Sequence, residues 1–467
     1  MRILIHGINF YPEEAGVGKY SGEMADWLAA QGHEVRIVTA PPFFPQWRVL
    51  DGYSACKYSR ERRFVPEVLV RRSAVEPGCN REVEIFRCPI WVPENPNGVK
   101  RLLHLASFAL SSWPAMLRQV AWRPDVVVLI EPTLFCAPQA LFAARCSSAT
   151  AWLHVQDFEV DAAFKFGGLS ASRGKGWALA LERWLLRRFD RVSAISGRMV
   201  DRLMRKGVDP SRCVLFANWV DTNVIHPLAG PSPLRRELGI AERAVVALYS
   251  GSMGKKQGLD LLVDAARQLL PCLDLRLVFC GEGPYRRSIA EKSKDLPNVS
   301  LLPFQPSERL NDLLSLADIH LLPQRADAAD LVMPSKLTGM LASGRPVVAT
   351  AHLGTQLAAA VQGCGLVVPP GDLGAFSSAI LQLTADRDLR LQLGQEARRY
   401  ALAHLDLETI LCRFEEAMLA ACDRSGGRMR KDQLHGAVRE APPDSLRASF
   451  VERHGDLGTA NTRKPYL

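Results

Sequence analysis

Apolar residues arrive in short runs separated by amphipathic stretches, and this alternation holds over most of the chain. The first run, RILIHGI from residue 2, is apolar on both faces, as a strand inside a parallel sheet must be. In the next stretch, YSGEMADWLAAQGH, Met24, Ala25, Trp27 and Leu28 share one helical face. Gly32 then ends the helix, and EVRIVTA begins a second strand. That is a βαβ unit. Further strands are predicted at 125–130, 149–155 and 191–196, separated by APQALFAARC and by the basic amphipathic helix 173–189. GRMVDRLMRKG reads as the next helix, and CVLFANWVD (213–221) closes the series.

A stretch rich in Pro and Gly, NWVDTNVIHPLAGPSPLRRELG, reads as an interdomain connection. A second alternating series follows, with strands predicted at 244–251, 275–283, VSLLPF, DIHLLP, RPVVAT and GLVVPPGD. The pattern predicts an α/β protein with two doubly wound, Rossmann-like domains facing across a cleft. The boundaries read as 1–217 and 218–402, with a helix at 407–422 packing back on the first domain. The segment 424–467 lacks a periodic apolar face and reads as a flexible tail. Residues 42–100 interrupt the alternation with PPFFPQW and YSRERRF. Together with the apolar segment 102–117 they suit either a surface that meets a lipid interface or an irregular solvated insertion.

Composition adds three constraints. The net charge of +9 favours anionic partners such as nucleotides, phosphorylated substrates, nucleic acid or an acidic membrane face, without choosing among them. The 11 cysteines are scattered, with no CxxC pair, so they read as small apolar residues of a reducing compartment rather than as a disulfide or zinc framework. MRILIHGINFYP reads as a strand rather than a leader, and no window of about 20 apolar residues suggests a membrane span. The expected location is cytoplasmic, with at most peripheral contact at the inner membrane face.

Five constellations carry candidate chemistry. In YPEEAGVGKYSGEMADWL, Gly16 and Gly18 lie between a strand and a helix, where backbone N–H groups can approach an anion. Ser21 replaces the third glycine of a dinucleotide fingerprint. In YSGSMGKKQGLDLL, Gly251, Lys255 and Lys256 repeat the strand–glycine loop–helix arrangement, with lysines where a phosphate would meet the helix start. In VFCGEGPYRR, Gly281 and Gly283 flank Glu282 and offer close approach of a base or ribose to the backbone. In WLHVQDFEVDAAF, Asp157 follows a strand directly and is the first candidate for a catalytic or acceptor-orienting carboxylate. His154, inside the strand, reads as a satisfied interior histidine. In ADAADLVMPSKLTGML, Pro334 suits a first helical turn and leaves the N–H groups of Ser335, Lys336 and Leu337 for a diphosphate, to which Lys336 adds charge.

Together these stretches resemble the retaining nucleotide-sugar glycosyltransferases of family four, which have the GT-B fold. PEEAGVGKYSGEMADWLAAQGHEVRIVTA resembles that family's acceptor-side loop, and NWVDTNVIHP its linker-proximal element. LYSGSMGKKQGLDLLVDAA, LVFCGEGP and PSKLTGMLASGRPVVAT resemble its donor-side elements. LVMPSKLTGMLASGRPVVAT and NPNGVKRLLHLASFALSSWPAM are closest to the exopolysaccharide, colanic acid type. The resemblance implies a nucleotide-sugar donor in the second half and a glycan or lipid-linked acceptor entering from the first. It also implies retention at the anomeric carbon, no metal or other cofactor, and no nucleic acid partner.

The chain departs from the family at four positions. Ser252 and Gln257 stand where relatives carry arginine and lysine in the donor loop. Leu331 and Gly339 stand where relatives carry two glutamates around the sugar and ribose, leaving Asp330 as the neighbouring carboxylate and second catalytic candidate. Two other readings stay open on the sequence: a nucleotide-sugar epimerase of the same fold, or a catalytically silent scaffold.

Overall fold

The computed structural model describes residues 1–14, 16–72, 82–94, 98–158, 172–254, 257–325 and 334–424. Residues 425–467, and with them the expectation of a flexible tail over 424–467, lie outside the described residues.

The first sheet has eight strands: β1 (Arg2–His6), β2 (Glu34–Thr39), β3 (Ser59–Phe64), β4 (Glu82–Arg87), β5 (Val126–Glu131), β6 (Thr150–Val155), β7 (Arg191–Ala194) and β8 (Cys213–Leu215). Their order is β3-β4-β2-β1-β5-β6-β7-β8. Every pairing is parallel except β3 with β4. The second sheet comprises β9 (Val245–Ser250), β10 (Leu275–Cys280), β11 (Val299–Leu302), β12 (Ile319–Leu322), β13 (Val347–Thr350) and β14 (Gly365–Val368). Its order, β11-β10-β9-β12-β13-β14, is the doubly wound 3-2-1-4-5-6 arrangement. Strands β5, β6 and β9 are buried at every residue, as their unbroken apolar runs require.

The structure corrects the reading of residues 42–100 as an interruption. β4 continues the parallel series beside β2, and the charged strand β3 closes that edge. β4 alternates buried with half-buried residues, and β3 exposes Arg60 and Arg62 while half-burying Glu61 and Arg63. Charge on an edge strand discourages further pairing, and it also hides the strand from an apolar-run search.

Right-handed crossovers fix which face each helix covers. Connections running from β4 through β5, β6 and β7 to β8 put helices Gly98–Val120, Ala137–Ser147, Ser172–Leu186 and Gly197–Arg205 over one face of the first sheet. Leu105, Phe108, Ala140, Leu185, Leu186 and Leu203 meet there in one core. Helix Gly16–Ala30 covers the other face together with the C-terminal helix Leu407–Arg424. Phe414 of that last helix stacks on Phe216 at 3.8 Å and meets Trp152 edge-on at 5.1 Å.

The two chain passages that join the sheets run side by side. The Val220 N–H donates to Leu405 O at 2.8 Å, and the Leu407 N–H donates to Val220 O at 3.0 Å. Arg398 ties this seam to the second sheet by donating to the carbonyls of Thr222, Ile225 and Ala342.

Candidate active site

The strand order puts a switch point between β9 and β12 in the second sheet, at whose carboxyl ends an open α/β sheet binds ligands. Tyr249, buried near the end of β9, donates its hydroxyl to Ser252 O at 2.6 Å and so shapes the turn that follows. Gly251 in that turn has φ +139°, and a Cβ there would lie 3.3 Å from Lys336 Cδ and 3.7 Å from its Nζ. Lys336 begins the short helix Lys336–Ala342. Its Nζ sits 4.2 Å from the centroid of the Tyr249 ring. The residue as a whole is half-buried, but the ammonium itself is sealed from solvent and makes no hydrogen bond among the described residues. Burial pushes its pKa down to about 7. A buried cation without an acceptor is costly.

The structure shows what surrounds several of the expected donor-side residues. Gly281 and Gly283 each lie against protein backbone. A Cβ on Gly281 would fall 1.9 Å from Gly251 O, and one on Gly283 would fall 2.5 Å from Met253 O. The two loops are also laced together, with the Met253 N–H donating to Glu282 O at 2.8 Å and the Tyr285 N–H to Met253 O at 3.0 Å. The Glu282 carboxylate pairs with Arg286 at 3.3 Å on the surface. The Leu337 N–H is not available to a ligand, because it already donates to Pro334 O at 3.0 Å. Ser335 precedes the helix without a side-chain capping bond. Gly339 faces the neighbouring helix Leu310–Leu316, with a Cβ position 3.1 Å from Leu314 Cδ1. Lys255, Lys256, Asp330 and Leu331 lie outside the described residues.

On the acceptor side, the loop after β1 is organised by a residue the sequence reading passed over. Glu13 is buried, and its Oε1 accepts from the N–H groups of Phe43 and Phe44, both at 2.9 Å. Its Oε2 accepts from Asn9 at 2.9 Å. Burial raises the Glu13 pKa, and these bonds oppose the rise. Gly18 exists to admit this side chain, since a Cβ there would come within 2.6 Å of both Glu13 Cβ and Oε2. A carboxylate of the chain itself fills the space that a side chain at position 18 would take. Gly16, with φ +61°, packs against Phe44. Doubled acid residues just ahead of a glycine pair were the available signal. Gly18→Ala should destabilise the fold by about 1–3 kcal/mol, through a clash beside a buried carboxylate. Urea titration checks this, and an unchanged midpoint would contradict the packing role.

Asp157 is half-buried two residues beyond β6, with Gln156 between them. His154 has partners on both ring nitrogens, Ser193 Oγ at 2.9 Å from Nδ1 and Gln156 Nε2 at 3.0 Å from Nε2. Burial lowers its pKa to about 3, so it stays neutral near pH 7, as the interior reading expects.

Helix Gly16–Ala30 of the first side also reaches the passage between the domains. In helix Lys336–Ala342 the Thr338 hydroxyl donates to Ser335 O at 2.8 Å. Burial raises the pKa of the Tyr20 phenol. Tyr20 also packs edge-on against Trp219 of the interdomain passage, whose indole N–H donates to Glu23 at 2.8 Å. Glu23 pairs in turn with Lys19 at 2.8 Å.

Comparison with known proteins agrees with this architecture. A family model described as a glycosyl transferase 4-like domain matches residues 15–219, and one for glycosyl transferases group 1 matches 244–386. WcaI of Escherichia coli (strain K12), provisionally named a colanic acid biosynthesis glycosyl transferase, is 39% identical over 428 residues, 89% of this chain and 98% of WcaI. Among solved structures, sucrose-phosphate synthase from Thermosynechococcus elongatus superposes with a TM-score of 0.67 at 17% identity, covering 91% of this chain and 100% of that one. HepE from Anabaena, solved in complex with UDP and glucose, superposes with a TM-score of 0.60 at 16% identity, covering 90% and 100%. The chain thus belongs to the family-four glycosyltransferases of the GT-B fold.

Proposed function

We propose that this enzyme moves a sugar from a nucleotide diphosphate sugar to a hydroxyl of a glycan or lipid-linked acceptor in exopolysaccharide synthesis, with retention at the anomeric carbon. The observation that carries the donor half is the buried Lys336 ammonium, with no acceptor among the described residues, beside Gly251 at the second switch point. The pathway half rests on the likeness to WcaI. As the bond from the anomeric carbon to the diphosphate breaks, both electrons leave with the phosphate oxygen, and charge develops there. Lys336 meets that charge without the reorganisation that water would need. In this reading it takes the part that a metal ion plays in other transferases, with Gly251 and the residues around Gly281, Glu282, Gly283, Ser335 and Leu337 shaping the wall. Lys255 and Lys256 add charge from the same loop. Asp157 and Asp330 are the carboxylates assigned to orient the acceptor hydroxyl and the donor sugar. A lipid-linked acceptor would bring the work to the inner membrane face; no helix among the described residues is long and apolar enough to cross a membrane.

Thermal unfolding in the presence of UDP, GDP or ADP tests the donor site. One of them should stabilise the protein by about 2–3 kcal/mol at a hundredfold excess over its dissociation constant. No shift with any of the three would remove the donor reading. The anomeric configuration of the product, read by NMR, decides between retention and inversion. A product formed with no acceptor present would instead indicate epimerisation of the free donor.

A further inference from the structure

We propose that the outer surface of the helical layer on the first sheet is a docking face for an anionic phospholipid bilayer. Three helices of that layer bury their inner faces in a shared core, yet each also carries large apolar side chains outward. On Gly98–Val120, Leu103, Leu110 and Leu117 recur every seven residues and are exposed, Leu110 by 72%. On Ala137–Ser147, Phe142 is exposed and meets Trp113 of the first helix at 6.1 Å. On Ser172–Leu186, Trp177, Leu181 and Trp184 follow the i, i+4, i+7 spacing, with Trp177 82% exposed. A soluble surface seldom keeps so many large apolar side chains together in water.

Charge identifies the occupant. Lys100, Arg101, Arg118, Arg145 and Arg183 are exposed on these helices, and Arg187 and Arg188 follow directly. The only carboxylate on the three helices is Glu182, which is buried and paired with Lys206 of the chain beneath. The next helix of the layer, Gly197–Arg205, brings Asp201 among three arginines and marks the edge of the one-signed region. An apolar stripe whose exposed charges on these three helices are all positive matches the anionic headgroups and acyl boundary of a bilayer. The Arg188 guanidinium lies 4.5 Å from the centroid of the Trp184 ring, so charge and indole can enter the interface as one unit. A second copy of this chain is a poor occupant, because a twofold contact would set the same arginines against themselves.

This surface includes the apolar segment 102–117 that first suggested a lipid contact, and it adds helices Ala137–Ser147 and Ser172–Leu186. It extends the membrane side of the function proposed above. The test uses neither donor nor acceptor, so either proposal can fail without the other.

The full chain is floated with vesicles of phosphatidylcholine alone and with vesicles containing about one third phosphatidylglycerol. It should rise with the anionic vesicles and stay behind with the neutral ones. Trp177→Glu with Leu181→Glu should cut the bound fraction about tenfold or more, because it places charge where the apolar stripe enters. Arg183→Gln with Arg188→Gln should reduce binding severalfold and remove much of its salt dependence. All four side chains are exposed, and an unchanged melting transition confirms that each variant is folded. No preference for anionic vesicles by the wild type, or binding that survives both variants, overturns the proposal. So does a concentration-dependent dimer that is lost in the Trp177→Glu, Leu181→Glu protein in place of vesicle binding.

Discussion

Lys336→Met should slow sugar transfer by about 10²–10³-fold and at the same time make the protein more stable. The two effects have one cause. The ammonium is sealed over the Tyr249 ring with no hydrogen bond among the described residues, and this burial holds its pKa at about 7 against the ordinary lysine value of 10.5. Folding therefore costs free energy for as long as the unfolded chain holds a proton that the folded chain binds poorly. The unfolded state binds more protons between the two values, so stability rises with pH across that window. The penalty is complete below about pH 7 and vanishes above the unfolded pKa. Methionine keeps the length of the side chain and removes the charge, so the variant should lack this rise. Its advantage over wild type should be largest near pH 6–7, on the order of a few kcal/mol. Melting temperatures of both proteins across the pH range read this directly, and a constant difference would contradict it. A bound diphosphate should restore the full charge, so binding between pH 7 and 9 should take up a proton. Calorimetry in buffers of different ionisation enthalpy detects that uptake.

Arg87→Met should destabilise the first domain by about 3–5 kcal/mol, because it removes a buried guanidinium that donates from each of its three nitrogens. Arg87 is 1% exposed at the end of β4. Its Nε donates to Glu61 at 2.8 Å, its Nη1 to Ala40 O at 3.0 Å and its Nη2 to Tyr11 O at 2.8 Å. The Tyr53 ring lies 4.7 Å from the guanidinium carbon. One side chain thereby ties the loops that leave β1 and β2 to the edge strand β3. Methionine fills much of the volume but leaves two carbonyls without their donor and Glu61 without its cation. Arg87→Lys should recover only part of the loss, because an ammonium cannot reach three acceptors held in a planar fork. The urea midpoint measures the stability, and the acceptor KM should rise in both variants as the acceptor-side loops loosen. A Met variant within about 1 kcal/mol of wild type would show that the network carries little of the stability.

Both glycine loops illustrate how far a local pattern can be read. GVG and GEG announce turns between strand and helix, and the turns are present. The sequence offered a ligand as the reason for the glycines, whereas the structure supplies protein: Glu13 against Gly18, Gly251 O against Gly281 and Met253 O against Gly283. The partner in each case comes from another loop, or from the far side of the same one, and periodicity says nothing about it. β3 and β4 were missed for a related reason. Their pairing is visible only once β2 is in place, and the charges of β3 obscure its strand character.

The sequence by itself determined the two alternating series, the doubly wound sheets and the position of Lys336 at the start of the helix after β12. Burial of an apolar strand between amphipathic helices is decided within about 30 residues of chain, so its period survives in the sequence. Only the tertiary structure decided that Lys336 is held over Tyr249 without an acceptor among the described residues, that Tyr20 packs on Trp219 of the interdomain passage, and that three helices turn positive and apolar side chains outward. Those features depend on strand order and on contacts between residues far apart in the chain. Desolvation and charge complementarity arise only when such residues are brought together, and no local period records them.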